Sequence, residues 1–310
     1  MIRQTSLHAP VLLNEAIQSL NINPHGTYVD GTAGRGGHAQ AILNKLTDGK
    51  LVCMDTDQEA IIYLQNLFNQ KPNVDIIHEN FKNLRNGLQG LNLHEVDGIL
   101  LDLGVSSPMF DDATRGFSYH NDGPLDMRMD QTQKLDATFV INKYDERQLS
   151  TMFKMYGEIT NCRPVVQAIV DYRKHAEIKT TKTLVDIIKG SINKKELFKD
   201  KHPARRYFQA IRIEVNQELY NLKKVVTDIP ELLKPKGRAA VITFHSLEDR
   251  IVKQGFLKKT VSSIPKEVPL MDENINFQLV NKKPIEATPQ EIEQNHRARS
   301  AKLRVIERIK

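Results

Sequence analysis

Cysteine is scarce in this sequence, since Cys53 and Cys162 are the only two in 310 residues. They have no motif spacing, and two such residues cannot form a disulfide framework. We therefore expect two ordinary buried thiols in a reducing compartment.

Long apolar runs are also missing. No segment approaches the roughly 18 apolar residues that a membrane-spanning helix needs. The first residues, Met1 to Ser6, do not lead into an apolar signal core. These absences predict a cytoplasmic protein with no membrane partner. The histidines lack ligand spacing with cysteines or acids, so the sequence predicts no metal site.

The excess of positive charge is small. The 44 lysines and arginines are mixed with 38 acidic residues, which gives a formal net charge of +6. This balance weakly favours a polyanionic partner.

Short apolar runs alternate with helical stretches over the first hundred residues. The predicted strands span residues 27–30, 51–55, 74–78 and 96–103, and the helices between the first three span 39–46 and 57–68. This alternation predicts a doubly wound, mostly parallel α/β sheet.

The alternation stops at about Asp111. Helical stretches at 147–156, 164–175 and 183–192 follow, without a strong strand signal up to His202. We therefore predict a discontinuous α/β domain, residues 1–110 and 206–310, with an inserted, mostly helical domain at residues 111–205.

The C-terminal third returns to alternation. One long helix is predicted from apolar residues three and four positions apart, namely Phe208, Ile211, Val215, Leu219 and Leu222. The predicted helix ends at Pro235-Lys-Gly237, a strand follows at 239–244, residues 262–275 are predicted to form a loop, and the tail near Leu303 is predicted to add a strand.

A glycine-rich turn follows the first predicted strand, in the stretch Asp30-Gly-Thr-Ala-Gly-Arg-Gly-Gly37. Glycines at a turn into a helix let the backbone approach a ligand. Asp55 ends the next strand, where a carboxylate can accept the ribose hydroxyls of an adenine nucleoside. Such a site suits either NAD or S-adenosylmethionine.

Two details favour S-adenosylmethionine. The strict Gly-x-Gly-x-x-Gly pattern of dinucleotide enzymes is absent, because Ala39 occupies the third glycine position. Asp30 stands just before the turn, where it would repel a pyrophosphate but attract an ammonium or sulfonium. A dinucleotide enzyme and a purely structural turn remain the alternatives.

Two further residues are predicted at the same edge of the sheet. Asp102 closes the fourth strand, and ligands of open α/β sheets bind outside the carboxyl ends of the strands. Phe81 follows the third strand, where it can flank the adenine or serve as a core aromatic.

Several long stretches resemble the bacterial 16S ribosomal RNA cytosine-N4 methyltransferases, and the resemblance spans nearly the whole chain. The stretches are Asp102-Leu-Gly-Val-Ser-Ser-Pro108, Arg115-Gly-Phe-Ser-Tyr, Asp122-Gly-Pro-Leu-Asp-Met-Arg-Met-Asp130, His8-Ala-Pro-Val-Leu-Leu-Asn-Glu15, His202-Pro-Ala-Arg-Arg206 and Thr243-Phe-His-Ser-Leu-Glu-Asp-Arg250.

The resemblance implies a class I S-adenosylmethionine-dependent methyltransferase with a seven-stranded sheet and a helical insertion. Its expected product is N4-methylated cytidine at position 1402, in the decoding site of 16S ribosomal RNA. The implied donor-binding positions are Gly36, Gly37, His38, Asp55, Phe81 and Asp102. Met109 stands where the family usually carries glutamine, and it can pack against the donor but cannot reproduce the hydrogen bonds of an amide.

The catalytic hypothesis concerns the exocyclic amine of cytosine. Asp102, or a backbone carbonyl near Pro108, is expected to accept a hydrogen bond from this amine, while Pro108 shapes the base pocket. Alternatively, Asp102 serves the donor alone.

Candidate RNA contacts lie in four places, one of which is the tail, with six basic residues between Arg297 and Lys310. Arg128 either contacts RNA or pairs with Asp126 and Asp130. His245 either touches the flipped base or precedes a helix whose predicted capping box is Ser246-Leu-Glu-Asp249. A basic cluster consists of Lys194, Lys195, Lys199, Lys201, Arg205 and Arg206.

The expected partner is 16S ribosomal RNA, free or within the small ribosomal subunit. A methyltransferase for another RNA or amine, and a non-catalytic RNA-binding assembly factor, are the competing interpretations. The sequence does not decide the oligomeric state, with a homodimer among the open arrangements.

Overall fold

A computed structural model of the chain describes residues 10–193, 202–261 and 275–310. The chain divides into two compact units. We call Met1–Gly104 with Leu219–Lys310 the α/β unit, and Val105–Glu218 the helical unit. The sequence predicts the insertion at residues 111–205, whereas the helix that starts at Arg205 lies within the helical unit.

The α/β unit contains, within its described residues, an eight-stranded sheet of order β3-β2-β1-β4-β5-β8-β6, in which β7 also pairs with β8. The strands are β1 (Thr27–Asp30), β2 (Lys50–Asp55), β3 (Val74–His78), β4 (Val96–Asp102), β5 (Leu233–Thr243), β6 (Phe277–Leu279), β7 (Ile285–Glu286) and β8 (Lys302–Arg308).

Strands β1 to β5 are parallel to their neighbours, and β8 is antiparallel to β5. Strands β6 and β7 pair with opposite ends of β8, so the eight strands fill seven positions. The predicted doubly wound, mostly parallel sheet and the strand in the tail are confirmed.

The helices of the described residues are α1 (Leu13–Leu20), α2 (Gly37–Leu43), α3 (Gln58–Leu67), α4 (Leu84–Gly90), α5 (Ser107–Asp111), α6 (Ala137–Lys143), α7 (Glu146–Gly157), α8 (Arg163–Arg173), α9 (Thr181–Ser191), α10 (Arg205–Asn216), α11 (Glu218–Leu232), α12 (Ser246–Thr260) and α13 (Pro289–Gln294). None of them is long and apolar enough to cross a membrane.

Helices cover both faces of the sheet, as strand β4 illustrates. Leu100 belongs to an apolar cluster that contains residues of α1 and α2, whereas Ile99 and Leu101 belong to a second cluster with residues of α4, α11 and α12. Side chains alternate across a strand, so a strand buried on both faces is apolar throughout. This explains the continuous apolar run at the centre of the sheet.

Two predictions about the C-terminal third are wrong. The single long helix is two helices, α10 and α11, because Gln217 adopts a left-handed conformation with φ of 51° and ends α10. Pro235-Lys-Gly237 does not end a helix but lies inside β5, beside an irregularity in its pairing with β4. The predicted loop at 262–275 falls almost entirely outside the described residues.

A separate apolar core fills the helical unit. It contains residues from α6 to α10 together with Phe117, Leu125 and Met127 from the segment before α6. Residues three and four apart on each helix face this core, which explains the helical periodicity of the sequence.

Candidate active site

The carboxyl ends of three strands supply three carboxylates at one edge of the sheet. Asp30 ends β1, Asp55 ends β2 and Asp102 ends β4. The three strands are parallel neighbours, so their ends meet, as the sequence predicts.

Asp30 is buried behind the glycine turn and holds it by hydrogen bonds. It is 1% exposed, and its carboxylate accepts hydrogen bonds from the amides of Thr32 and Ala39. Burial raises the pKa of Asp30 to about 7, and the charge of Asp55 adds to the rise. Asp30 can therefore influence a bound cation through its charge, but it is too buried for direct contact.

Asp55 ties the turn to the second strand. Its Oδ2 accepts a hydrogen bond from the Gly34 amide at 2.7 Å, and its Oδ1 accepts one from the Asp57 amide at 2.9 Å. Burial raises the pKa of this carboxyl, although the side chain stays partly exposed. Each carboxylate oxygen has two acceptor positions, so Asp55 can also accept a pair of ribose hydroxyls.

The glycines of the turn have different reasons to be glycine. A Cβ on Gly36 would lie 2.7 Å from Leu67 Cδ2, and one on Gly37 would lie 2.4 Å from Pro10 Cγ. Gly37 is therefore dictated by packing against a side chain of the protein itself, whereas Gly36 is also required by its left-handed backbone, with φ of 78°. Gly34, with φ of 51° and no close neighbour, is where the turn is open to a ligand.

His38 lies in the first turn of α2 and is 5% exposed. Its Nε2 is 3.1 Å from the Val11 carbonyl oxygen, so Nε2 carries the proton, and Nδ1 is 3.8 Å from Oδ2 of Asp102. Burial lowers the pKa of His38 to about 4, so the ring is neutral near pH 7. The structure thus places His38 beside Asp102, where it presents a lone pair.

Asp102 combines a fixed backbone with an unsatisfied side chain. Its amide donates to Oγ1 of Thr32 at 2.6 Å, whereas its Oδ1 is buried with no hydrogen-bond partner among the described residues. Burial, then the charges of Asp30 and Glu248, raise the pKa of Asp102 well above its ordinary value. A buried acceptor without a partner is costly, so a hydrogen-bond donor or a cation beside it would be stabilised.

These features fit a cationic nucleoside. Asp55 offers acceptors for ribose, Gly34 leaves space for close approach, and Asp102 offers an unpaired oxygen. Phe81 begins a 3-10 helix after β3 and is partly buried; a Cβ on Gly31 would lie 3.7 Å from its Cβ. Phe81 therefore starts beside the turn and packs against an apolar cluster of the sheet, which is compatible with both roles predicted for it.

His245 is the N-cap of α12, and the predicted capping box is displaced by one residue. The amide of Glu248 donates to Nδ1 of His245, and the Glu248 carboxylate accepts from the amides of Phe244 and His245. Asp249 instead forms an ion pair with Arg304 at 2.7 Å. The prediction that Ser246 and Asp249 form the box is wrong, because histidine can also accept at a cap.

Two predicted residues lie in α5 of the helical unit. Pro108 occupies the first turn, where the missing amide hydrogen costs nothing. Met109 is 6% exposed and belongs to the apolar core of this unit. Its burial in this core accounts for an apolar residue at this position.

Arg128 has most of its hydrogen-bonding capacity committed inside the helical unit. Its Nε and Nη2 bind both oxygens of Asp126 at 2.9 and 2.7 Å, and Nη1 donates to the carbonyls of Gln131 and Gln133. The hydrogen bond to Asp126 raises the pKa of Arg128. These contacts match the predicted ion-pair network with Asp126 better than a free RNA contact; Asp130 caps Thr132 instead.

The described residues include only two members of the predicted basic cluster. Arg205 and Arg206 are exposed at the start of α10, available to an anion. Lys194, Lys195, Lys199 and Lys201 lie outside the described residues.

Sequence reasoning missed three supporting residues. Thr32 holds the Asp102 amide, Glu248 is 2% exposed next to the strand ends, and Asn216 binds the backbone of Met127 and Met129. Glu248 had a readable signal, namely its spacing of three residues from His245. Thr32 and Asn216 had none, because their partners are distant in sequence.

A model of the MraW methylase family matches residues 5–309. A relative named ribosomal RNA small subunit methyltransferase H, from Ureaplasma parvum serovar 3, is 51% identical over 298 residues, which is 96% of each chain. A relative of the same name from Streptococcus mutans serotype c is 47% identical over 310 residues, 98% of each chain. A solved rRNA methylase structure from Streptococcus thermophilus covers 96% of this chain and 94% of that one, at 11% identity and a TM-score of 0.39. A likeness this loose says nothing about function.

Proposed function

The chain belongs to the MraW methylase family, whose methyl donor is S-adenosylmethionine, and we propose that it methylates the N4 amine of the decoding-site cytidine of 16S ribosomal RNA. The observation that carries the proposal is Oδ1 of Asp102, which has no hydrogen-bond partner among the described residues and lies at the same sheet edge as Asp55 and the open Gly34 turn. The names of the relatives support a small-subunit RNA substrate.

Residues of the first two strand ends and the glycine turn bind S-adenosylmethionine in this proposal. Asp55 accepts the ribose hydroxyls, Phe81 flanks the adenine, and the open backbone at Gly34 borders the donor. Gly36 and Gly37 act indirectly, because they allow α2 to pack against Leu67 and Pro10. His38 is a positioning residue that faces Asp102.

On the acceptor side, the exocyclic amine of cytosine is a poor nucleophile. The lone pair of the cytosine amine is delocalised into the ring, and bound S-adenosylmethionine supplies an electrophilic methyl group. Oδ1 of Asp102 accepts a hydrogen bond from an N–H of the amine, which localises the lone pair on nitrogen. Transfer of the methyl group from sulfur to nitrogen would leave neutral S-adenosylhomocysteine and a positively charged amine, which would lose one proton to solvent water. The catalytic contribution of the protein is chiefly alignment.

RNA engagement requires the target base to be unstacked or already single-stranded. Arg205 and Arg206 are exposed, and we assign them to the phosphate backbone. The reaction takes place in the cytoplasm, where the small-subunit RNA is made in bacteria. Pro108 is assigned to the base pocket.

The decisive genetic experiment is deletion of the gene followed by mapping of cytidine methylation along small-subunit RNA. Loss of N4 methylation at the decoding site, restored by the wild-type gene and not by Asp102→Ala, is the expected result. Methylation that persists in the deletion strain would assign the chain to another substrate. Restoration by Asp102→Ala would remove Asp102 from the chemistry.

A further inference from the structure

Three rings meet on the helical unit, outside every contact described above. Tyr119 and His202 stack with ring centroids 4.8 Å apart and an angle of 17° between their planes. His120 lies 4.5 Å from Tyr119 and 5.3 Å from His202. Each ring therefore touches the other two, and we call this group the three-ring stack.

The three-ring stack has a rigid base and an accessible top. Phe208, 3% exposed, packs edge-on against Tyr119 at 5.7 Å. His120 is exposed, whereas Tyr119 and His202 are half-buried. The exposed ring of His120 therefore rests on packed aromatic side chains and is open to a ligand.

Local hydrogen bonds fix the two histidines in place. The Oγ of Ser118 accepts hydrogen bonds from the amides of His120 and Asn121, which holds the turn that carries His120. The amide of Ala204 donates to Nδ1 of His202, which makes Nδ1 an acceptor and leaves the proton on Nε2. Burial and the nearby charge of Lys189 lower the pKa of His202, so the ring is uncharged near pH 7.

Positive charge borders the three-ring stack. Lys189 is exposed in the last turn of α9, close enough to His202 to affect its ionisation. Arg205 and Arg206 are exposed in the first turn of α10, three and four residues after His202. None of these three cations forms an ion pair with a residue in the described part of the chain.

An exposed aromatic ring, beside cations that form no ion pair within the described residues, offers the two features that recognise single-stranded nucleic acid. The rings stack on bases, and the cations bind the phosphates that join them. We propose that the three-ring stack is a base-stacking subsite, which holds one unpaired nucleotide of the RNA substrate separately from the base that is methylated. This inference rests on the proposed function, because it takes the substrate to be RNA.

Tryptophan fluorescence tests the stack directly, because the sequence contains no tryptophan. The variant His120→Trp places one indole on the exposed side of the stack. Titration with single-stranded RNA of the decoding-site sequence should quench its emission in a saturable manner, since a base stacks on the ring. The same RNA made abasic at each position in turn should fail to quench at one position only. Unchanged emission at saturating RNA would overturn the proposal.

Affinity measurements separate stacking from mere packing. His120→Leu keeps a side chain of similar size but loses the aromatic face, and it should bind RNA about five- to hundredfold more weakly. His120→Phe should bind like the wild type. His175→Ala, an exposed histidine of the same unit, is the matched control and should also bind like the wild type. Equal affinity of the leucine and phenylalanine variants would contradict stacking.

Salt and kinetics complete the test. For His120→Leu, log affinity against log salt should keep the wild-type slope, because no phosphate contact is removed, whereas Arg205→Gln should lower the slope by about one. His120→Leu should raise KM for RNA and leave kcat unchanged.

If the wild type methylates RNA while His120→Trp shows no quenching, the subsite alone is refuted. If the wild type methylates no RNA, the proposed function fails, whatever the fluorescence.

Discussion

Nδ1 of His38 lies 3.8 Å from Oδ2 of Asp102, and both are acceptors when Asp102 is ionised. Nε2 of His38 is committed to the Val11 carbonyl, so the ring cannot turn a proton toward the carboxylate without becoming charged. Burial raises the pKa of Asp102 and lowers that of His38. Both shifts therefore favour the neutral form of each group, a protonated Asp102 beside an uncharged His38.

A cationic donor should change this balance. A sulfonium close to Asp102 favours its ionised form and lowers its pKa, so binding of S-adenosylmethionine should release protons at any pH where Asp102 of the free protein is still protonated. S-adenosylhomocysteine lacks the sulfonium charge and should release fewer. Calorimetry in buffers of different ionisation enthalpy measures the number of protons. Equal release by the two ligands, or no release at all, would disagree with a donor placed beside Asp102.

Asp55→Ala should weaken binding of S-adenosylmethionine about ten- to a hundredfold. The change removes the ribose acceptors and the anchors of the Gly34 and Asp57 amides. Asp75→Asn is the matched control, because Asp75 lies in β3 of the same sheet and pairs with Lys50. Titration calorimetry on both variants gives the comparison. If the control loses as much affinity as Asp55→Ala, the loss reflects general damage to the sheet.

Asp30 should make stability depend on pH. Its folded pKa of about 7 exceeds the ordinary 3.8, so its contribution to stability is fully present below about pH 4 and is lost as pH rises through about 7. Asp30→Asn removes this loss. Relative to the wild type, the free energy of unfolding of the variant should rise by up to about 4 kcal/mol between pH 4 and 8. Urea denaturation across this range measures the difference, and a difference independent of pH would contradict the burial of a titrating carboxyl.

Asn216→Ala should destabilise the protein by about 1–3 kcal/mol. Asn216 donates to the Met127 carbonyl and accepts from the Met129 amide, both at 2.8 Å, and it thereby holds a segment in which Met127 has φ of 60°. Asn161→Ala, at an exposed position of the same unit, should change stability little. Denaturant unfolding of the two variants checks the difference, and equal stabilities would show that the segment does not need this clamp.

The sheet edge could be predicted from sequence because strand ends follow from local patterns. Apolar runs locate β1, β2 and β4, and parallel pairing then brings Asp30, Asp55 and Asp102 together. The reasons for Gly36 and Gly37 could not be predicted, since Leu67 and Pro10 approach them only in the folded chain.

What the sequence analysis predicted wrongly, or missed, depends on contacts between residues that are distant in sequence. Gln217 breaks the predicted long helix although glutamine is a good helix former, so tertiary structure overrides its preference. The three-ring stack joins residues 119 and 120 to residue 202, a pairing that no local periodicity encodes.

The most direct test of the account is methyl transfer by the purified chain from isotope-labelled S-adenosylmethionine to small-subunit RNA. Digestion to nucleosides and chromatography with mass spectrometry separate N4-methylcytidine from its C5 isomer. The label should appear as N4-methylcytidine alone. Label in another nucleoside, or in none with a chain that binds the donor, would contradict the account.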